Sequence, residues 1–291
     1  MPELPEVETI ARGVNERVRG DRIVEVWFSR HPQPFKTPVA RQARGLEGRA
    51  ILAVHRTGKH IVCELGGPVD GSPLGIACSS PLVEDSGIPS AQWIVHLGMT
   101  GRLLVTTPEA PVAPHTHARL SLASGRELRF VDPRRFGRLE YRDLGAKAGF
   151  CAPGADPLKV TAEEFARLFH GRKLAIKAAL LNQKLLSGVG NIYADESLFR
   201  AGIRPRRQSG RQTKTALEGL RLALRKVLKH AIRLGGSSVS DYVDADGVRG
   251  FFQLEHCVYQ RTGLPCRRCQ TPIRRILVAG RGTHYCPHCQ R

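Results

Sequence analysis

The chain has no apolar run long enough to cross a bilayer. Its longest hydrophobic stretches are short and interrupted, so no transmembrane helix and no membrane partner are expected. No export signal is expected: two acids and two prolines fill the first six residues, where a secretory leader would place basic and then apolar residues. There is no internal repeat and no low-complexity tract, which sets repeat arrays aside. The scarcest commodity is negative charge. Asp and Glu number 26 against 45 Lys and Arg, a net of +19. The deficit is concentrated late: residues 151–291 hold 25 basic and 10 acidic residues, whereas residues 1–150 hold 20 and 16. A polyanion is the natural partner, nucleic acid before a membrane surface, with a merely well-solvated basic surface as the competing reading.

What is present argues for a folded, multidomain chain. A length of 291 residues exceeds most single cores, and a hydrophobic share of 41% is ordinary for globular proteins. The first residues, "MPELPEVET", predict a helix over about residues 5–18. Pro5 suits a first helical position, Glu6 and Glu8 complement the positive helix end, and Leu4, Val7, Ile10, Ala11, Val14 and Val18 recur at helical spacing. That helix explains Pro5 and leaves Pro2 unexplained.

The pattern then changes to period two. "RIVEVWFS" alternates along one strand, and "RAILAVHRTGKHIVCEL" reads as two strands around a Thr57–Gly58–Lys59 turn. "QWIVHLGMTGRLLVTT" reads as a further pair with its bend near Thr100–Gly101, "ARLSLASGRELRFVD" as a hairpin around Ser124–Gly125, and "GRLEYRDL" as a closing strand. Successive strands with short turns predict an antiparallel sandwich or barrel. Residues from about Gly66 to Ser90, rich in Gly, Pro and Ser, predict a surface loop.

After a Gly-, Ala- and Pro-rich linker at "GAKAGFCAPGADPLKV" the period becomes helical. "TAEEFARLFHG" opens with Thr161 and carries Glu164 three residues on, a capping box. "LAIKAALLNQKLL" and "ADESLFRAGI" predict further helices. "TKTALEGLRLALRKVLKHAIRLGG" predicts a long basic one, stopped by Gly235–Gly236 and followed by a polar loop over 236–250.

The C-terminus carries the strongest local signal. Cys266 and Cys269 in "CRRC" are followed, after sixteen residues, by Cys286 and Cys289 in "CPHC". Two CxxC turns joined by a hairpin-length segment predict four thiolates around one structural zinc ion, a closed shell with no open position for metal chemistry. His284 and His288 lie near enough to compete and read as surface histidines. Arg281, between glycines in "AGRGT", projects from the hairpin turn, where a basic residue meets a phosphate or a groove. Cys63, Cys78, Cys151 and Cys257 are scattered and read as reduced thiols.

"PELPEVET", "HLGM", "DPRRFG", "GVGNIYADE" and the terminal CxxC pairs, in this order, resemble bacterial formamidopyrimidine-DNA glycosylase along almost the whole chain. The resemblance implies an α+β multidomain fold. A catalytic β-sandwich with a leading helix spans 1–145, a helix–two-turns–helix DNA-binding domain with a lesion-recognition loop spans 146–250, and a zinc finger spans 251–291. It implies a monomeric, cytoplasmic and nucleoid-associated enzyme of base-excision repair. The substrate is double-stranded DNA carrying oxidised purines, 8-oxoguanine and formamidopyrimidines, excised and then nicked by β,δ-elimination.

The residue roles follow the same motifs. With Met1 removed, Pro2 presents a secondary amine, and a terminal amine titrates at roughly 8 in model compounds, low enough for a useful neutral fraction. The resemblance makes it the nucleophile that forms the Schiff base. Glu3 is the general acid at the sugar ring oxygen, and Glu6 a second acid of the site, which the helix dipole alone also explains. Lys59 serves proton donation and phosphate contact, and Arg281 δ-elimination. Met99, Arg134 and Phe136 fill the hole left by the everted nucleotide, types that suit a flexible filler, a cytosine partner and a wedge. Arg135, His115, Lys173, Lys177 and Asn191 contact DNA. Each of these residues, met singly, reads as core or solvated surface; the motif context selects the sharper reading.

Three other classes stay open on the residues. A noncatalytic zinc-ribbon DNA binder has no use for Pro2–Glu3. A small N-terminal-proline isomerase has no use for the basic second half. An endonuclease VIII-like enzyme for oxidised pyrimidines differs in lesion choice.

Overall fold

The computed structural model describes residues 1–31, 34–68, 88–145, 148–238 and 242–291. The chain divides into two compact units: Met1–Pro2, Val7–Cys151 and Ser240–Arg249 in the first, Glu3–Glu6, Ala152–Val239 and Gly250–Arg291 in the second. Helix α1 (Leu4–Val18) therefore gives its first turn to the second unit and its body to the first. Among the described residues no helix is long and apolar enough to cross a membrane.

The first unit contains β1 (Ile23–Phe28), α2 (Val39–Leu46), β2 (Arg49–Thr57), β3 (His60–Pro68), β4 (Ala91–His96), β5 (Arg102–Thr106), β6 (Thr116–Leu122), β7 (Glu127–Val131) and β8 (Arg138–Asp143). They build two four-stranded antiparallel sheets, ordered β1-β6-β7-β5 and β2-β3-β4-β8. Leu103, Leu120 and Phe130 of one sheet share a core with Ile61, Trp93, Val95 and Leu139 of the other. Val7, Ile10, Val14 and Val18 of α1 complete it, as their spacing requires.

Three sequence expectations are corrected here. β4 and β5 are not a pair: they belong to different sheets, and residues 97–101 carry the chain from one to the other. Helix α2 is absent from the sequence reading because only Gln42 and Leu46 are buried on it, too few to show a period. The segment starting at Gly66 is not all loop. β3 continues to Pro68, and Leu65 pairs with Ala91 on β4; residues 69–87, including Cys78, lie outside the described residues.

The second unit holds α3 (Ala162–Phe169), α4 (Ile176–Leu181), α5 (Asn191–Ala201) and α6 (Lys214–Arg233), then β9 (Arg274–Val278) and β10 (Arg281–Tyr285). The Thr161–Glu164 capping box forms, with both reciprocal bonds present. Phe165, Phe169, Leu180, Tyr193, Leu198, Leu220, Leu224 and Val227 make the helical core. Helix α4 is shorter than its apolar pattern suggests. Asn182 ends it by accepting the Lys184 N–H at 3.0 Å, and Gln183 bridges the Val189 carbonyl and the Gly188 N–H at 2.8 and 2.9 Å, turning "NQKLLSG" back on itself.

Candidate active site and DNA-contact residues

The chain's first acids are buried, with Glu3 5% and Glu6 2% exposed. Helix α5 starts behind Gly190 with no capping side chain of its own. Glu3 supplies the cap from far away in sequence: its Oε1 accepts the Ile192 N–H at 3.2 Å, and its charge complements the positive helix end. Gly190 is required for that approach. A Cβ there would stand 2.2 Å from Glu3 Cδ. The adjoining Leu4 N–H donates to the Gly188 carbonyl at 3.0 Å, so the glycines of "GVGN" seat the chain start.

Glu6 holds the same segment. Its Oε2 accepts the Glu3 N–H at 2.8 Å, and its Oε1 accepts from the Tyr193 hydroxyl and, at 2.8 Å, the Ser237 N–H. Burial pushes the Glu6 carboxyl above the ordinary range, and those three donors pull it back. Its place is thus more than a helix-dipole complement: it fixes the peptide that joins Glu3 to Pro2. Pro2 is itself buried.

In the first unit, Lys59 is half-buried in the turn that the Thr57–His60 pair closes between β2 and β3. Met99 and Phe136 are 39% and 48% exposed, on loops 97–101 and 132–137. Arg134 lies over the Phe136 ring at 5.0 Å. Asp132, fully buried, ties the two loops together. Its Oδ1 accepts the Thr100 hydroxyl at 2.6 Å, and its Oδ2 the Gly137 N–H at 2.7 Å. Gly98, at φ +62°, lies so close to Phe136 that a Cβ would stand 2.4 Å from its backbone carbon.

His115 and Arg135 are exposed and both adopt positive φ, 65° and 55°, a conformation most side chains avoid. Asp132 backbone bonds support both: its N–H donates to the His115 carbonyl at 3.0 Å, and its carbonyl accepts the Arg135 N–H at 3.2 Å. His117 Nε2 lies 3.1 Å from the same carbonyl. The two residues line a cleft of 420 Å³ with Trp27, Arg30, His31 and His117. Asp132, Thr100 and His117 escape a sequence reading of this loop pair; the one available signal is the aspartate heading "DPRRFG".

In the second unit the cysteines converge as their spacing predicts. The sulfurs of Cys266, Cys269, Cys286 and Cys289 all lie within 4.8 Å of one another, against about 3.8 Å edges for a tetrahedral Zn–thiolate site. Backbone N–H groups of Arg268 and Cys289 point at Cys266 and Cys286 sulfurs at 3.4 Å, the orientation that supports thiolates. The residues fit a single structural zinc. Cys63, Cys151 and Cys257 are free thiols apart from that cluster.

Two expectations fail in this unit. Lys177 is not available to a phosphate: it is wholly buried, 2.6 Å from Asp195 Oδ1, and donates to the Gly282 carbonyl and the Thr283 hydroxyl at 3.1 and 2.8 Å. It sits on the core-facing side of a one-and-a-half-turn helix, which its charge conceals in the sequence. His284 is not on the surface either; it is 7% exposed and its N–H donates to Asp195 Oδ2 at 2.8 Å. Lys173 and Arg281 are exposed. Asn191 donates to the Gly282 carbonyl at 3.0 Å. Of the loop 236–250, Ser238 accepts the Gly250 N–H at 2.9 Å, while 239–241 lie outside the described residues.

A buried, helix-capping carboxylate at the chain start, exposed apolar side chains on two loops and a basic hairpin carrying four clustered thiols are features that suit a polyanion partner. Comparison with known proteins agrees. Residues 1–139 match the model of the formamidopyrimidine-DNA glycosylase N-terminal domain, residues 152–243 that of its H2TH domain, and residues 263–291 that of the zinc finger found in FPG and IleRS. The formamidopyrimidine-DNA glycosylase of Solibacter usitatus (strain Ellin6076) is 44% identical over 293 residues, covering all of both chains. The solved complex of Lactococcus lactis Fpg with an abasic-site-containing DNA is similar at TM-score 0.83 and 31% identity, over 99% of each chain. The wild-type protein of that organism bound to an oxidized-pyrimidine-containing DNA is similar at TM-score 0.82 and 30% identity, over the whole of both chains. By its three matched domains and its full-length relatives, this chain belongs to the formamidopyrimidine-DNA glycosylases, a family of DNA glycosylases that act on damaged DNA.

Proposed function

We propose that the chain excises oxidised purines, 8-oxoguanine and formamidopyrimidines, from duplex DNA and then cuts the strand by β,δ-elimination. The observation that carries this reading is the seating of the chain start: Glu6 grips the Glu3 amide, Glu3 caps α5, and Pro2 is the next residue out. Once Met1 is removed, the Pro2 nitrogen attacks the anomeric carbon, and the base leaves with a proton. Glu3 protonates the ring oxygen as the sugar opens to an iminium. The iminium acidifies the neighbouring carbon. Loss of that proton breaks the C3′–O bond, with Lys59 in the proton relay, and a second elimination breaks the C5′–O bond, with Arg281 at the phosphate. Water then hydrolyses the iminium and frees Pro2, so no oxidant or reductant is consumed.

Met99, Arg134 and Phe136 occupy the vacated stack, and Arg135, His115, Lys173 and Asn191 hold the backbone. The divisions 1–145, 146–250 and 251–291 assign these tasks to a catalytic domain, a DNA-binding domain and a finger, in a monomer working at the bacterial nucleoid. Lysine 177 takes no phosphate in this scheme.

Borohydride trapping on an 8-oxoguanine·cytosine duplex tests the reading. A covalent protein–DNA band is expected from the native chain and none from Pro2→Gly. Tight binding without a band, after the N-terminus is confirmed as Pro2, would overturn the mechanism. A second reading, oxidised pyrimidines as substrates, draws on the Lactococcus lactis complex with such DNA; the same trap with an oxidised-pyrimidine duplex separates the two.

A further inference from the structure

Strand β10 begins at Arg281, and the three residues behind it are gripped from the helices. Lys177 Nζ donates to the Gly282 carbonyl at 3.1 Å and to the Thr283 hydroxyl at 2.8 Å. Asn191 Nδ2 donates to the same carbonyl at 3.0 Å. Asp195 Oδ2 accepts the His284 N–H at 2.8 Å, and its Oδ1 lies 2.6 Å from Lys177 Nζ. Lys177, Asp195 and Thr283 have no exposed surface. The residues on the opposite strand, Arg274 and Arg275, are exposed and reach the rest of the unit through their pairing with β10.

A buried ion pair returns little net stability compared with apolar packing; here its groups are spent on holding one stretch of backbone. That stretch immediately follows an exposed arginine. A guanidinium that serves a developing charge must be held within about 0.5 Å of its working place. Resting on the reading of Arg281 given above, we infer that Asp195, acting through Lys177 and the β10 backbone, is a positioning residue that fixes Arg281 for δ-elimination. Asp195 touches no DNA in this role. Its carboxylate offsets the burial that lowers the Lys177 pKa and holds Nζ aimed at Gly282 and Thr283, and its second oxygen sets the height of His284.

A double-mutant cycle on the full-length, zinc-loaded chain tests this. An abasic-site duplex is the substrate, and the readout is the ratio of β,δ-product to β-product, with the borohydride adduct measured alongside. Arg281→Ala is expected to lower the ratio by about tenfold or more, as for loss of one preorganised donor. Asp195→Asn retains one zinc per chain and near-native adduct formation, and lowers the ratio by about tenfold. Combined, the two changes do no more than Arg281→Ala alone, because both remove the same interaction. Effects that multiply, or an Asp195→Asn variant that slows adduct, β and δ steps equally, would mean a general structural role and would overturn the inference.

Thr283→Val removes one anchor and no charge. It is expected to shift the ratio the same way by a smaller factor, and it carries the cycle alone if Asp195→Asn loses its zinc. Arg281→Ala with unchanged δ-elimination would overturn the assignment of Arg281 and the inference with it. A defective Arg281→Ala beside normal Asp195→Asn and Thr283→Val would overturn the inference alone.

Discussion

Glu6 Oε2 accepts the backbone N–H of Glu3 at 2.8 Å, so one buried carboxylate holds the peptide that carries the other. In Glu6→Gln an amide replaces an acceptor that three donors share, and one donor is left unpaired. Adduct formation is expected to fall by about ten- to a hundredfold, the cost of a misplaced reacting group, while affinity for abasic DNA changes little. Single-turnover trapping against a binding titration checks the split.

The same residue sets a pH trend. Burial raises the Glu6 pKa, so folding favours its protonated form. Its contribution to stability is present below the ordinary carboxyl value and is lost as pH rises through the folded one. Glu6→Gln has no such loss. The melting temperature of the variant relative to the native chain is therefore expected to improve from pH 4.5 upward, and a difference that worsens with pH would contradict the assignment.

Phe136 and Met99 separate function from fold. Both are substantially exposed, so Phe136→Ala and Met99→Ala are expected to change stability by about 0.5 kcal/mol or less. Excision from a duplex is expected to drop by tenfold or more, since extrusion costs a few kcal/mol, about the energy of one or two decades in rate. Excision from a destabilised, mismatched duplex is expected to suffer less.

Asp132 gives the opposite signature. Asp132→Ala leaves the Gly137 N–H and the Thr100 hydroxyl without their acceptor in a buried place, a destabilisation of about 2–4 kcal/mol. Denaturant melts and excision are expected to fail together.

The two lysines that the sequence treats alike are expected to diverge. Lys173→Ala, exposed, lowers the salt dependence of DNA binding by about one counterion and leaves stability unchanged. Lys177→Met strands the Asp195 charge and costs about 3–5 kcal/mol. Chelating the zinc is expected to unfold the finger, whose own buried cluster is small, and to abolish tight binding.

What the sequence discloses follows from how local each signal is. The α1 period, the Thr161–Glu164 box, the Gly58–Lys59 and Ser124–Gly125 turns and the thiolate spacing are set by residues a few positions apart, and all are readable. The assignment of β4 and β5 to different sheets depends on partners far along the chain, and periodicity cannot name partners. Lys177 and His284 mislead a reading of the sequence for one reason. Each is partnered by Asp195 from another element, Lys177 through its ammonium and His284 through its backbone N–H, and a polar residue with an unseen partner looks like surface. Asp132 was in plain view within its motif, but the bonds that make it an organiser cross between loops.

The cap that Glu3 places on α5 joins the third residue of the chain to the 192nd. During synthesis the acidic start is made first, and its seat emerges some 190 residues later, roughly ten to forty seconds at ribosomal speed. Until then neither the Glu3 carboxylate nor the amide run at the start of α5 has its partner. The body of α1 can pack into the first unit's core early, but the Glu3–Ile192 cap can form only once α5 has been made, so a truncated product ending before Gly190 keeps the acidic start without that seat.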